Sequence, residues 1–470
     1  MENSELLGKL SNLLGPKGIL TAPEEMEPYV TDYRHRRIGS AVAVLLPAST
    51  EEVSKAVKLV TKYGVPVYPQ GGNTGLCYGA VPDRGVVICL KRMRKLREVD
   101  QLSGLLTVDA GLTLAEVHQE AEKLNMQFPL YLGADGTAQI GGLISTNAGG
   151  TGVLRYGSMR DLTAGVEVVL ADGSILSELL GLRKNNTGYN ITQLVAGAEG
   201  TLGIVTGAVL RLAPRMTSKA VAWLGFDDIN SALQVASLVR STFGADVEAL
   251  ELVDDGEINC VLRNMTEVRM PLSEVPAYSL IIEIATPRPA DNLNEQLEEV
   301  LVPPMEEGLI SDAVIAQNET QAAEIWHFRH SVTESNQLNG VGVVLDTSVR
   351  PSAVAEFVRR ADIVTAEKFP QATRQIVAHL ADGNVHYIVM FPRAVWNTYS
   401  DKVAKELEVE EAIHDVAQAV GGTFSAEHGI GRKLTDEMAR LIDPVRLDVM
   451  QRIKTALDPD NLMNPRILLP

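Results

Sequence analysis

His379 and His386 flank Asp382-Gly383 in the stretch Val377-Ala-His-Leu-Ala-Asp-Gly-Asn-Val-His-Tyr-Ile-Val389. Asp-Gly is a favoured central pair of a two-residue hairpin turn, and a turn centred there pairs His379 with His386. Directly opposed residues share a face, about 5 Å apart at Cβ, which is close enough to hold one ion. Farther on, Ser425-Ala-Glu427-His428-Gly-Ile-Gly431 presents a carboxylate and an imidazole together on a glycine-bounded turn. Two neutral imidazoles and one carboxylate leave open positions on a divalent ion, most simply Zn²⁺, as a catalytic site requires. Two histidines in an ordinary hairpin, or the ligand set of a zinc hydrolase, would read the same way at this point.

A second kind of chemistry is suggested by glycine. Pro69-Gln-Gly-Gly-Asn-Thr-Gly75 follows the strand-like Val65 to Tyr68, and closely spaced glycines let successive backbone N–H groups face one concavity that holds a pyrophosphate. Between Gly133 and Gly157 stand eight glycines among Ser, Thr and Asn, a composition that reads as a long ordered loop or a set of turns. No Gly-x-Gly-x-x-Gly follows a strand and opens a helix with an acidic residue some 20 positions on, which argues against a nicotinamide site.

In order along the chain, Gln70-Gly-Gly-Asn-Thr-Gly75, Ile140-Gly-Gly-Leu-Ile-Ser-Thr-Asn-Ala-Gly-Gly150, Arg155-Tyr-Gly157, Asn186-Thr-Gly-Tyr-Asn190 and Gly197-Ala-Glu-Gly-Thr-Leu-Gly-Ile-Val-Thr206 resemble the FAD-binding signatures of the vanillyl-alcohol-oxidase type flavoproteins. The branch most similar is the FAD-linked D-2-hydroxyacid dehydrogenases, acting on D-2-hydroxyglutarate or D-lactate. The resemblance implies an α+β fold: a two-part FAD-binding domain of the vanillyl-alcohol-oxidase (PCMH) type, an α+β substrate (cap) domain and a helical C-terminal segment. It implies flavin contacts at Gly71, Gly72, Asn73, Thr74, Gly75, Gly141, Gly142, Thr146, Asn147, Glu199 and Ile204. Relatives that attach FAD covalently often use a histidine where this chain has Asn73, so the FAD is expected to be non-covalent.

The family also carries the two histidines and the later Glu-His-Gly, and the resemblance implies metal ligands at His379, His386 and Glu427. Oxidising a 2-hydroxy acid moves hydride to the flavin while the hydroxyl loses its proton, and a metal on the substrate oxygens lowers that pKa. His428, beside the ligand Glu427, is the matching general base. Arg329 in Trp326-His-Phe-Arg329 is the candidate for the substrate carboxylate, Thr333 lies one helical turn on along the same face, and Asn384 is placed to orient the substrate. Relatives acting on 2-hydroxyglutarate resemble one another in Lys-x-Asp-x-Ser, where this chain reads Val344-Leu-Asp346-Thr-Ser348. Valine cannot neutralise a second carboxylate, so a monocarboxylic acid with a small or apolar side chain is favoured. Electrons would pass on to an electron-transfer flavoprotein, a quinone or a cytochrome, and a homodimer is an expectation of the same reading.

These residues must be positioned by 470 residues, more than the roughly 250 to 300 at which one core stops growing. The expected division is a FAD-binding domain over 1–215 and a substrate and metal domain over 216–470, with the cap at about 216–420 and the helical segment at about 421–470. Ser49 with Glu52, and Thr113 with Glu116, read as capping boxes opening helices striped by Val53, Val57, Val60 and by Leu114, Val117, Ala121. Forty-two basic against sixty acidic residues give a net charge of −18, which repels a phosphate backbone; nucleic acid is excluded as a partner. No apolar run approaches the ~20 residues of a membrane helix. Three scattered cysteines, Cys77, Cys89 and Cys260, form neither a disulfide framework nor a thiolate zinc site, and with neither an export-type leader nor an Arg-rich amphipathic mitochondrial segment in the first 30 residues the expected location is cytoplasmic.

Overall fold

The computed structural model describes residues 2–290 and 292–470. The chain forms two compact units, one comprising the chain up to Gly150 with Tyr156–Arg215 and Glu427–Pro470, the other Thr151–Arg155 with Met216–Ala426.

In the first unit, β1 (Ile19–Leu20), β2 (Ala43–Leu45), β3 (Val67–Gln70) and β4 (Val86–Cys89) form a sheet in the order β1-β2-β4-β3, parallel across its last three strands. β5 (Leu96–Asp100) and β6 (Leu105–Asp109) belong to a second, antiparallel sheet, while β7 (Met126–Gln127) pairs with a strand at 213–214. The second sheet is completed by β8 (Thr163–Val169), β9 (Ile175–Ser177) and β10 (Ile204–Arg211), in the order β5-β6-β10-β8-β9; Ala213–Pro214 is β11. One core joins both sheets, through Leu45, Val57, Ile88, Leu106, Val166 and Ala208. The Thr113 and Glu116 side chains cap each other's backbone N–H groups. At the other helix Ser49 accepts from Glu52 N, but the Glu52 carboxylate reaches Ala48 N instead.

The glycine-rich stretch is not all loop. Ile140–Thr146 is a helix, because Ile140, Leu143 and Ile144 recur at helical spacing and bury into the core. Glycine hides this pattern, but a Cβ at Gly141 would stand 3.0 Å from Ala110 Cβ, so the close approach needs it. The tail also differs from expectation. Residues 427–470 pack with the first unit: Val67 N donates to Leu462 O and Asn464 N to Val67 O, both at 2.8 Å, while buried Lys454 donates to Thr201 O. A periodicity reading sees the helix Pro444–Leu457 but not the β3 edge it returns to.

In the second unit, β12 (Ser218–Phe226), β13 (Val247–Asp254), β14 (Tyr278–Thr286), β15 (Asp312–Ile315), β16 (Val341–Ser348), β17 (Thr373–His379) and β18 (Asn384–Phe391) make an antiparallel sheet in the order β15-β12-β14-β13-β17-β18-β16. Side chains alternate between its faces. Leu250, Leu252, Ala378 and Tyr387 enter one apolar cluster. Trp223, Val253, Ile281 and Val377 enter another, with Phe328 and Val332 of the helix Glu319–Asn339. Glu251 and His379 alternate into this second face.

Candidate functional site

The hairpin register differs from the sequence expectation. β17 and β18 pair His379 with Asn384 and Val377 with His386, so the connection is Leu380 to Gly383 rather than Asp382-Gly383 alone. Gly383 N donates to His379 O at 3.1 Å and Asn384 N to Asp382 Oδ1 at 3.0 Å, which closes the wider turn. Gly383 has φ +81°, and a Cβ there would lie 1.8 Å from Val349 O. A slip of one residue would have turned one histidine away, but two restores the face. His379 and His386 become diagonal neighbours with ring centroids 5.6 Å apart.

Behind His379 stands Glu251, directly opposite it on β13. Its carboxylate is 2.6 Å from His379 Nδ1 and accepts from Arg329 Nε at 3.0 Å and Nη2 at 2.8 Å. Burial alone would raise this carboxyl, but His379 and Arg329 hold it down at about 2. Arg329 thus spends one edge of its guanidinium inside the protein. Thr333, one turn along the helix, is exposed. Asp346 lies opposite His386 in the β16–β18 register, with 3.6 Å between Oδ1 and His386 Nδ1. It also accepts from the Asn384 amide at 3.1 Å and from Ala426 N at 3.2 Å, which tethers the residue just before Glu427. Asn384 Oδ1 is buried with no partner among the described residues, an unsatisfied acceptor on the histidine face. Glu251 and Asp346 were not among the expected site residues; Glu251 is one of three acids in β13, with Glu248 and Asp254, so no local signal singles it out.

In the first unit a cavity opens among the glycine loops. All the expected flavin residues line it except Asn147, and so does His428. Asn147, at φ 50° as the helix C-cap, instead accepts from Ser158 Oγ and Arg160 N, both at 2.9 Å. The Asn73 amide is anchored to Thr31 O at 2.7 Å. Gly75 and Gly142 have open space where a Cβ would stand, leaving backbone accessible to a ligand. Gln139 Oε1 and Asn464 Oδ1, on the cavity wall, are buried without partners among the described residues. A large ligand rich in hydrogen-bonding groups fits these walls. Glu199 is committed elsewhere: it accepts from Ile430 N at 2.8 Å and Gly431 N at 2.7 Å, fixing the turn that carries His428. Burial raises its carboxyl to about 7 against those two amides.

Solved structures share this fold: p-cresol methylhydroxylase with TM-score 0.76 at 16% identity, over 99% of this chain and 96% of that one, and an alkyldihydroxyacetonephosphate synthase with TM-score 0.74 at 18%, over 98% and 84%. The class is that of PCMH-type FAD-binding proteins. Residues 41–177 match the family described as FAD binding domain, and residues 215–468 match FAD linked oxidases, C-terminal domain. The chain belongs to the FAD-linked oxidase family and is an FAD-dependent oxidoreductase. It is 33% identical to the mitochondrial D-2-hydroxyglutarate dehydrogenase of Arabidopsis thaliana, over all of this chain and 82% of that protein. It is 34% identical to the Bos taurus mitochondrial enzyme, over 97% and 82%, and 34% to that of Xanthomonas citri pv. viticola, over 95% and 93%. The mitochondrial names of the plant and bovine relatives overturn the expected cytoplasmic location. Three scattered cysteines suit any reducing compartment, so they had no power to choose one. Among the described residues no helix is long and apolar enough to cross a membrane.

Proposed function

We propose that the chain oxidises a D-2-hydroxy acid to the 2-oxo acid, with FAD held non-covalently in the glycine-lined cavity and a divalent metal, Zn²⁺, held by His379, His386 and Glu427. The observation that carries the reading is His428 on the wall of the cavity that the flavin residues line. When bound, FAD supplies the hydride acceptor and the metal supplies a Lewis acid that lowers the hydroxyl pKa. The chain's residues do the rest. His428 takes the hydroxyl proton. Arg329 offers its remaining N–H groups to the substrate carboxylate, and Thr333 extends the same helix face. Asn384 presents its unsatisfied Oδ1 to a hydroxyl donor. The donor set supports the metal: Glu251 holds His379 Nδ1 at 2.6 Å, the kind of carboxylate partner that orients a ligating histidine. A zinc hydrolase accounts for the histidines and leaves the cavity without a purpose.

The relatives are named for D-2-hydroxyglutarate. Here Val344 pairs with Ile388 on the face that carries Asp346 and His386, which favours a monocarboxylic substrate with a small or apolar substituent. Anaerobic bleaching of the flavin by a panel of D- and L-2-hydroxy acids tests both points. Lactate or longer aliphatic acids should reduce it faster than 2-hydroxyglutarate, and bleaching by none of them sinks the proposal. An electron-transfer flavoprotein, a quinone or a cytochrome would then reoxidise it.

A further inference from the structure

Glu251 sits where two functional groups meet. β13 is an inner strand, paired with β14 on one side and β17 on the other, and the Glu251 side chain on its covered face is 1% exposed. Each oxygen has its own partner: Oε1 lies 2.6 Å from His379 Nδ1, and Oε2 takes both Nε and Nη2 of Arg329. An ionised carboxylate only accepts, so Nδ1 of His379 carries the proton and Nε2 presents its lone pair. Arg329 is fixed at the same time, since its fork cannot rotate without breaking two charge-assisted bonds.

We propose that Glu251 is a positioning residue that sets the metal-binding tautomer of His379 and the orientation of Arg329 at once, so that metal binding and carboxylate binding are coupled through one side chain. The inference rests on the metal and substrate reading above. Rotation of His379 would loosen Arg329, and displacement of Arg329 would free the carboxylate to re-aim the imidazole. Glutamine has one acceptor and one donor group where glutamate has two acceptors. In Glu251→Gln the amide either donates to His379 Nδ1, which moves the proton to Nε2 and removes the ligand, or faces the Arg329 donors with N–H groups of its own. Either way one partner is lost.

The test uses the full chain loaded with FAD. Zinc is titrated into apo-metal protein, and binding of a 2-oxo acid is read from the perturbed flavin spectrum with and without zinc. Glu251→Gln should keep its flavin and lose zinc affinity by roughly 10- to 100-fold, as loss of a carboxylate behind a ligating histidine does. In the unsubstituted protein zinc should tighten the oxo acid severalfold, and in Glu251→Gln that enhancement should vanish. Unchanged zinc affinity in the variant overturns the inference; absence of zinc binding in the unsubstituted protein overturns the metal reading instead. Should Glu251→Gln fail to fold because Arg329 is left buried and unpaired, the double variant Glu251→Gln, Arg329→Met removes that charge. It should fold and still bind zinc weakly. Native zinc affinity in the double variant also overturns the inference.

Discussion

Glu199 and Glu251 are both buried carboxylates, one in each unit, and they are pushed in opposite directions. Glu199 meets only two backbone amides, and burial carries its carboxyl up to about 7. Glu251 meets a guanidinium and an imidazole, which hold it at about 2 despite burial that would raise it. The difference reflects how the two regions are built. The cavity of the first unit is main chain brought close by glycines, with few charges. The histidine face of the second unit is a relay of side chains on a stiff sheet.

Substitutions should therefore separate the two regions. The largest effect is expected from His379→Ala: zinc is lost and flavin reduction by a hydroxy acid falls on the order of 10⁴-fold, since a Lewis acid contributes several kcal/mol, while FAD content measured by absorbance is unchanged. His428→Ala should retain both FAD and zinc and lose about 10²- to 10⁴-fold in the reductive rate; normal stopped-flow reduction would refute its role. Gly72→Ala should break the cavity alone, because a Cβ there falls 1.9 Å from Thr137 O and overpacking costs about 1–3 kcal/mol. Its FAD content should drop with zinc binding intact, whereas Gly75→Ala, with open space at its Cβ, should fold normally and weaken FAD by intrusion only. A calorimetric melt beside a flavin titration distinguishes the two. The smallest effect is a pH slope. Between its ordinary value near 4.5 and about 7, Glu199 is protonated in the native state and ionised in the unfolded one, so its contribution to stability declines as pH rises across that window and is flat above it. Glu199→Gln should flatten the melting temperature there, and parallel profiles for both proteins would contradict the shift.

Much of the first unit was legible because its function lies in main chain, and glycine spacing reports main chain directly. The helix Ile140–Thr146 was missed for the same reason: Gly141 and Gly142 within it mask the burial of Ile140, Leu143 and Ile144. In the second unit parity was readable and register was not. Asp382-Gly383 marked a turn, but its length depends on the close approach of Gly383 to Val349, which lies outside the local sequence. Glu251 and Asp346 come from strands distant in sequence from His379 and His386, so no local pattern joins them. Asn147 follows the motif in sequence yet turns its side chain to Ser158 and Arg160, since a left-handed cap sets the direction.

The return of the tail to β3 has a consequence for synthesis. His428 and Asn464 are walls of the glycine-lined cavity, yet they leave the ribosome after the entire second unit. At about 5–20 residues per second, the roughly two hundred intervening residues impose a wait of some 10 to 40 s. Throughout it the first unit holds Val67, Glu199 and Thr201 without the partners that later occupy them. With FAD in that cavity as proposed, nascent chains halted before Glu427 should emerge without flavin however long they are incubated with it.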